Sequence, residues 1–177
     1  MSRPKPLDLN RADFITIDTI GPPGQRTFYL QAAQGEILIT LIIEKSHAAA
    51  LSIAIGNILQ QTGGIDEPEA VNQELVHPVE PLFRVGNLGL GYDQVQGKLI
   101  VVAEELVAEG DQPGRQVRIW ADRAQMAALA RQAAIAVAEG RPTCPLCAEP
   151  IEPGEKHVCV RGNGRKHLYE LDEDGRD

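Results

Sequence analysis

One order of hydrophobic periods occurs twice in this chain, and that order limits the fold more than any other feature. Phe14–Ile20 sets Ile15 and Ile17 against polar Thr16 and Asp18, the alternation of a half-buried strand. Gly21-Pro22-Pro23-Gly24 turns the chain into a second strand over Arg26–Gln31, and Ala33-Gln34-Gly35 turns it again. Glu36–Ile43 is apolar on both faces and belongs near the centre of a sheet. Ser46 then reads as a helix N-cap. Leu51, Ile55, Ile58 and Leu59 follow at helical spacing, and Gly63-Gly64 ends the helix.

The second half runs in the same order. Phe83–Tyr92, Lys98–Val107 and Arg115–Ala121 read as strands separated by turns at Asp93–Gly97 and Glu109–Gly114. Asp122 is an N-cap with Gln125 three residues on, close to a capping box, and the helix passes through Met126, Leu129, Ala133 and Val137 to Gly140. Setting Leu129 on Leu51 also sets Arg123 on Lys45, Ala133 on Ile55 and Val137 on Leu59. Duplication accounts for this pattern, and so does chance alternation of meanders and helices. Between the halves, Gly64–Pro81 is acidic and interrupted by Pro68, Pro78 and Pro81, which reads as a surface linker with one helical turn around Ala70–Leu75. The expected class is α+β: two tandem βββα units form a mainly antiparallel sheet over residues 1–140. A zinc-knuckle module is expected over 141–169 and an acidic, disordered tail over 170–177.

Charge and cysteine usage narrow the function. A net charge of −8 argues against sequence-independent nucleic-acid binding and against an anionic membrane surface. The polar start and the short apolar run Ile37–Ile43 leave no expected signal or spanning segment. All three cysteines fall within Cys144–Cys159, which fits a metal site in a reducing cytoplasm better than a disulfide framework.

Cys144-Pro145-Leu146-Cys147 is followed by His157-Val158-Cys159, and Glu152-Pro153-Gly154-Glu155 supplies the turn between the pairs. Two close pairs of thiolate and imidazole donors match tetrahedral zinc, as in a zinc ribbon. With Cys144, Cys147, His157 and Cys159 as ligands every position is filled by protein, so the expected zinc is structural. A redox Cys-x-x-Cys, metal-free cysteines, and His167 in place of His157 are the alternatives.

Catalytic patterns are scarce. Ser2, Ser46 and Ser52 are the only serines, and none lies in a Gly-x-Ser-x-Gly elbow. His47 sits in the first turn of a helix, and His77 precedes a proline in the linker. Gly86-x-x-Gly89-x-Gly91 does not lead into a helix, so it reads as a bulge or close backbone approach and not as a phosphate loop. Arg26 and Arg84 begin one strand in each half. With Tyr29 they form a candidate ligand site at which two guanidiniums converge on an anion. The basic stretch Arg161–Lys166 is a candidate for a nucleic-acid backbone, opposed by the acidic tail that follows it.

Several of these segments in order resemble one family. They are Gly24-Gln25-Arg26-Thr27-Phe28-Tyr29-Leu30-Gln31, Phe83-Arg84-Val85-Gly86, and Gly140-Arg141-Pro142 running into the Cys144–Cys147 knuckle. His157-x-Cys159-x-Arg161-x-Asn163-Gly164 closes the series. The chain resembles an uncharacterised family of actinobacterial and Chloroflexi proteins, domain of unknown function 3090. It departs from that pattern at Ala148 and Val160, neither of which is a ligand. The resemblance implies a bacterial cytoplasmic protein and brings no reaction with it. The expectation is a non-catalytic adaptor or regulator with structural zinc and a protein partner. The alternatives are an enzyme or sensor that binds a small phosphorylated or carboxylated ligand through Arg26 and Arg84, and nucleic-acid binding through the basic stretch.

Overall fold

The computed structural model describes residues 4–22, 24–64 and 74–139, together with Cys144, Cys147 and the backbone of 157–159 and 167–169. Nine strands and two helices occur among these residues. In chain order they are β1 (Leu7–Leu9), β2 (Phe14–Ile20), β3 (Thr27–Gln34), β4 (Ile37–Ile43), α1 (Lys45–Gln61), β5 (Phe83–Asp93), β6 (Lys98–Glu105), β7 (Gln116–Ala121), α2 (Arg123–Ala138), β8 (His157–Cys159) and β9 (His167–Tyr169). The expected βββα order thus appears twice, as β2-β3-β4-α1 and β5-β6-β7-α2, within one mixed α+β architecture. The chain divides into two compact units. One comprises Met1–Ile20 with Thr27–Val137, and the other Gly21–Arg26 with Ala138–Asp177.

The first unit holds a seven-stranded sheet in the order β1-β7-β6-β5-β4-β3-β2. Pairing is antiparallel within each βββ meander and parallel where β4 meets β5 and where β1 meets β7. Each parallel junction is spanned by a helix-containing or longer connection, as parallel pairing requires.

β1 has too few residues for its pattern to be read from sequence, yet it determines how the sheet curves. It borders β7 at one edge of the order, and β2 lies at the other. Five Cα–Cα steps from Leu9 to Phe14 reach at most about 18 Å, whereas a flat sheet of this width would hold its outer strands about 29 Å apart. The sheet must therefore curl until its edges approach. Two consecutive residues close the seam: the Ala12 N–H donates to the Trp120 carbonyl of β7 (2.8 Å) and the Asp13 N–H to the Ala33 carbonyl of β3 (2.8 Å).

One face of the sheet is fully apolar. Ile15 and Ile17, Leu30 and Ala32, Ile39, Leu41 and Ile43, Leu99 to Ala103, and Val117 to Ala121 alternate inward and are buried. They form one cluster with Ala48, Leu51, Ile55 and Leu59 of α1 and with Met126, Leu129, Ala133 and Ala136 of α2. Each such Leu or Ile contributes about 1.5–3 kcal/mol by leaving water. The helices also grip each other. Ser52 donates its hydroxyl to the Ala130 carbonyl (2.8 Å), so this serine is committed to packing. Arg123, at the start of α2, donates to Thr62 Oγ1 and to the Leu59 carbonyl, placing a cation on the carbonyl end of α1.

The caps differ in one place from expectation. Asp122 and Gln125 do form a reciprocal box: Asp122 N–H to Gln125 Oε1 at 3.0 Å and Gln125 N–H to Asp122 Oδ1 at 2.8 Å. In α1, however, the N-cap is Glu44 and not Ser46, with extended backbone (φ −89°, ψ 155°). The Glu44 N–H donates to His47 Nδ1 (3.2 Å), so His47 fills the position a Gln or Glu takes in a capping box.

The linker reading is corrected in part. Residues 65–73, including the first residues of the expected helical turn, lie outside the described residues; Glu74 and Leu75 are not helical. From Glu74 onward the chain crosses the sheet face opposite the helices, with Leu75 buried. Thr16, Gln31 and Thr40 are mutual strand partners in a row on that face, and all three are buried although polar. Gln31 explains how: its Oε1 accepts from the Val76 N–H (2.7 Å), and its amide donates to the Val76 carbonyl (3.0 Å) and Thr40 Oγ1 (3.0 Å). The side-chain amide mimics a neighbouring strand and satisfies the backbone it covers.

Candidate functional site

Of the four expected zinc ligands, Cys144 is buried and Cys147 half-buried. The side chains of His157 and Cys159 lie outside the described residues, as do the basic stretch at 161–166 and the tail at 170–177. The backbone of the β8–β9 hairpin pairs Cys159 with His167 and His157 with Tyr169. Residues two apart on a strand share a face, and so do direct cross-strand partners, so His157, Cys159 and His167 hold register positions on one face. Among the described side chains, no group of three or more His, Cys, Asp or Glu gathers around a point that could hold a metal.

The candidate ligand residues separate into two environments. Asp18, Tyr29, Ile42 and Arg84 are successive strand partners, a transverse row across β2, β3, β4 and β5 on the face away from the helices. Tyr29 and Arg84 thus share a surface, two strand spacings apart. The Arg84 guanidinium is engaged by Glu44 (2.7 Å), and both side chains are about half exposed (49% and 56%). Arg26 belongs to the other compact unit, where it pairs with Glu139 at 3.2 Å. Each guanidinium therefore already holds a carboxylate of the protein. An exposed pair of this kind is worth little and an incoming anion can displace it.

Two stronger ion pairs tie strands together. Arg115 grips Glu105 through Nε (2.9 Å) and a second nitrogen (2.6 Å), donates to the Leu82 carbonyl (2.8 Å), and lies 5.2 Å from the Phe83 ring centre. These bonds hold the Glu105 carboxyl at about 2, well below its ordinary 4.5. Arg118 makes two bonds of 2.7 Å to Asp8, its strand partner, and lowers that carboxyl as well. Both are fork-on-carboxylate geometries that join β6 to β7 and β1 to β7.

Of the glycine motif, Gly86 alone shows the expected bulge and close approach; Gly89 and Gly91 lie in regular pairing with room for a Cβ. The β5–β6 register shifts between Val85 and Asn87, so Gly86 sits in a bulge, where a Cβ would lie 2.9 Å from Leu106 Cα. Further along, Leu88, Gly89 and Leu90 face His47, Ala50 and Leu51 of α1 across a small apolar cleft of about 110 Å³.

A larger polar cleft of about 260 Å³ opens at the seam of the sheet, lined by Arg11, Asp13, Lys98, Trp120, Asp122 and Gln125. Sequence reading did not assemble this group. Its members come from three separate stretches, 11–13, 98 and 120–125, and only Asp122 and Gln125 carried a local signal, that of a helix cap. No spacing rule joins Arg11 to Lys98.

No curated protein and no solved structure matches the chain. Among the described residues no helix is long and apolar enough to cross a membrane. A family model described as "Protein of unknown function (DUF3090)" matches residues 7–159, and the chain belongs to that family.

Proposed function

We propose that this chain is a non-catalytic bacterial cytoplasmic adaptor or regulator. On this reading structural zinc, held by Cys144, Cys147, His157 and Cys159, orders a C-terminal surface that binds a protein partner. The observation that carries the reading is the hairpin register, which sets His157 and Cys159 on the same face as His167. A buried Cys144 fits the donor set, because a thiolate that ligates zinc is withdrawn from water. Three thiolates and an imidazole leave no open position, so the metal would supply folding stability and no activated water. Nearby Arg141, Lys156 and Arg161 would offset the site's residual negative charge. His167, as the strand partner of Cys159, is the competing fourth ligand.

Metal analysis of the freshly purified protein is expected to give one zinc per chain. Cys147→Ser should release it, and His157→Ala should release it where His167→Ala does not. Absence of zinc in wild type overturns the metal site, and the reverse histidine result reassigns the fourth ligand. The adaptor role is tested by affinity capture from the native cytoplasm with the intact chain and with a truncation before Arg141. A partner retained only by the intact chain is expected. Turnover of a substrate that survived Cys147→Ser and vanished with Arg84→Ala would overturn the role.

A second reading is favoured by the shared row of Tyr29 and Arg84: a small phosphorylated or carboxylated ligand displaces Glu44 and binds beside that row. Stabilisation by such an anion in a thermal-shift screen, abolished by Arg84→Ala, would support it over the adaptor role.

A further inference from the structure

The seam cleft arises from the topology. β1 and β7 are parallel neighbours, and beyond their carboxyl ends the chain diverges: β1 continues through Arg11–Asp13 into β2 against β3, while β7 turns into α2. The cleft lies where these two connections part, with Arg11 and Asp13 from one and Trp120, Asp122 and Gln125 from the other in its lining. The floor is anchored from three sides. Besides the Ala12 and Asp13 backbone bonds to β7 and β3, the Gln125 amide donates to the Ala12 carbonyl (2.8 Å), and the Arg11 N–H donates to Gln34 Oε1 (3.0 Å).

The charges lining this crevice are arranged unequally. Both carboxylates are oriented by backbone donors: Asp13 Oδ2 accepts from the Gly35 N–H (2.7 Å) and Asp122 Oδ1 from the Gln125 N–H (2.8 Å). Each keeps one carboxylate oxygen uncommitted among the described residues. The side chains of Arg11 and Lys98 make no hydrogen bond or ion pair with a described residue, although Arg26, Arg84, Arg115 and Arg118 each hold a carboxylate. Trp120, half-buried, supplies an aromatic wall. A simple anion here would meet two carboxylates, and a simple cation would meet two cations. Only a ligand bearing both charges close together is matched by the whole lining.

We propose that the seam cleft binds a small zwitterion of the α-amino-acid class. The ligand carboxylate lies between Arg11 and Lys98, its ammonium faces the uncommitted oxygens of Asp13 and Asp122, and its side chain lies along Trp120. A cleft of about 260 Å³ takes a ligand of that size. This site is separate from the zinc module and from the Tyr29–Arg84 row, and it stands or falls without them.

Trp120 is the chain's single tryptophan, so its fluorescence reports on the cleft directly. The full-length protein is titrated with a panel of standard L-amino acids, with isoamylamine as a matched amine and with 4-methylpentanoate as a matched acid. A saturable change with at least one amino acid, absent with the amine and the acid, is expected. Arg11→Gln and Asp13→Asn replace exposed side chains. Each should weaken binding about tenfold or more, since each removes a charge-assisted contact, while Arg131→Gln, on the exposed side of α2 and outside the cleft lining, leaves it unchanged. Thermal unfolding of the variants checks that they are folded, and Lys98→Gln serves as the second variant on the carboxylate side. Equal response to the acid alone, equal response to the amine alone, no response to any compound, or wild-type affinity in Arg11→Gln would each overturn the proposal.

Discussion

Glu105 shows how one residue carries both geometry and pH dependence. Its carboxylate is held by the Arg115 fork, so its proton dissociates near 2 in the folded chain against about 4.5 when the partner is absent. Because the folded value is the lower one, the stabilisation is complete above pH 4.5 and disappears as pH falls through about 2. Urea midpoints measured across that range should decline steeply in wild type. In Glu105→Gln they should decline less, with lower stability at pH 7. A variant that retains the full acid limb would show that other carboxylates dominate it. The pair itself is not legible in sequence, because Glu105 and Arg115 lie ten residues apart with a turn between them and meet only through the β6–β7 register. His47 was legible, because a first-turn position leaves few roles besides capping or solvation.

At the scale of elements, periodicity and the α2 cap are legible in the sequence, while the α1 cap and the partnerships are not. Phe14–Ile20 matches β2 at both ends, and the other strands differ at their ends by one to three residues: β3 runs three residues further, to Gln34, and β6 stops two residues sooner, at Glu105. The Asp122–Gln125 box was visible because its chemistry is local. Replacing Asp122 with Ala removes the acceptor for the Gln125 N–H and should cost about 1 kcal/mol in unfolding free energy. A denaturation curve identical to wild type would show that water replaces the cap at no cost. The N-cap of α1 was misplaced by two residues, since Ser46 is the commoner capping type while the fold begins the helix at Lys45 with Glu44 behind it. Gly64–Pro81 reads as a surface linker because it is acidic and proline-rich, and its described part begins at Glu74. It docks because Gln31 on β3, 45 residues before Val76, presents an amide that pairs with its backbone.

Across the first compact unit, the seam is the feature on which the sheet's curvature depends. Leu9 of β1 is fully buried beside Ile119, and the short link from it to Phe14 pulls the sheet edges together. Leu9→Ala is expected to destabilise this unit by about 2–5 kcal/mol, the cost of a core cavity. Hydrogen exchange should rise in both β7 and β2, because both edges depend on the same link. Faster exchange confined to β7 would show that the edges are stabilised independently. The same closure produces the polar cleft, which makes its proposed ligand site a consequence of topology.

The sequence by itself determined the element types, their doubled βββα order, the central apolar strand and the α2 cap. Each of these depends on side chains a few positions apart, where helix and strand periods are set by local geometry. The Cys and His spacing raises the expectation of a metal site, and that expectation rests on local spacing alone. Only the tertiary structure decided that β1 joins β7, that Gln31 clasps Val76, and that Arg11, Lys98 and Trp120 line one cleft. Those are contacts between residues far apart in the chain. They depend on which edges of the sheet meet, and a three-residue strand carries too little pattern to announce that.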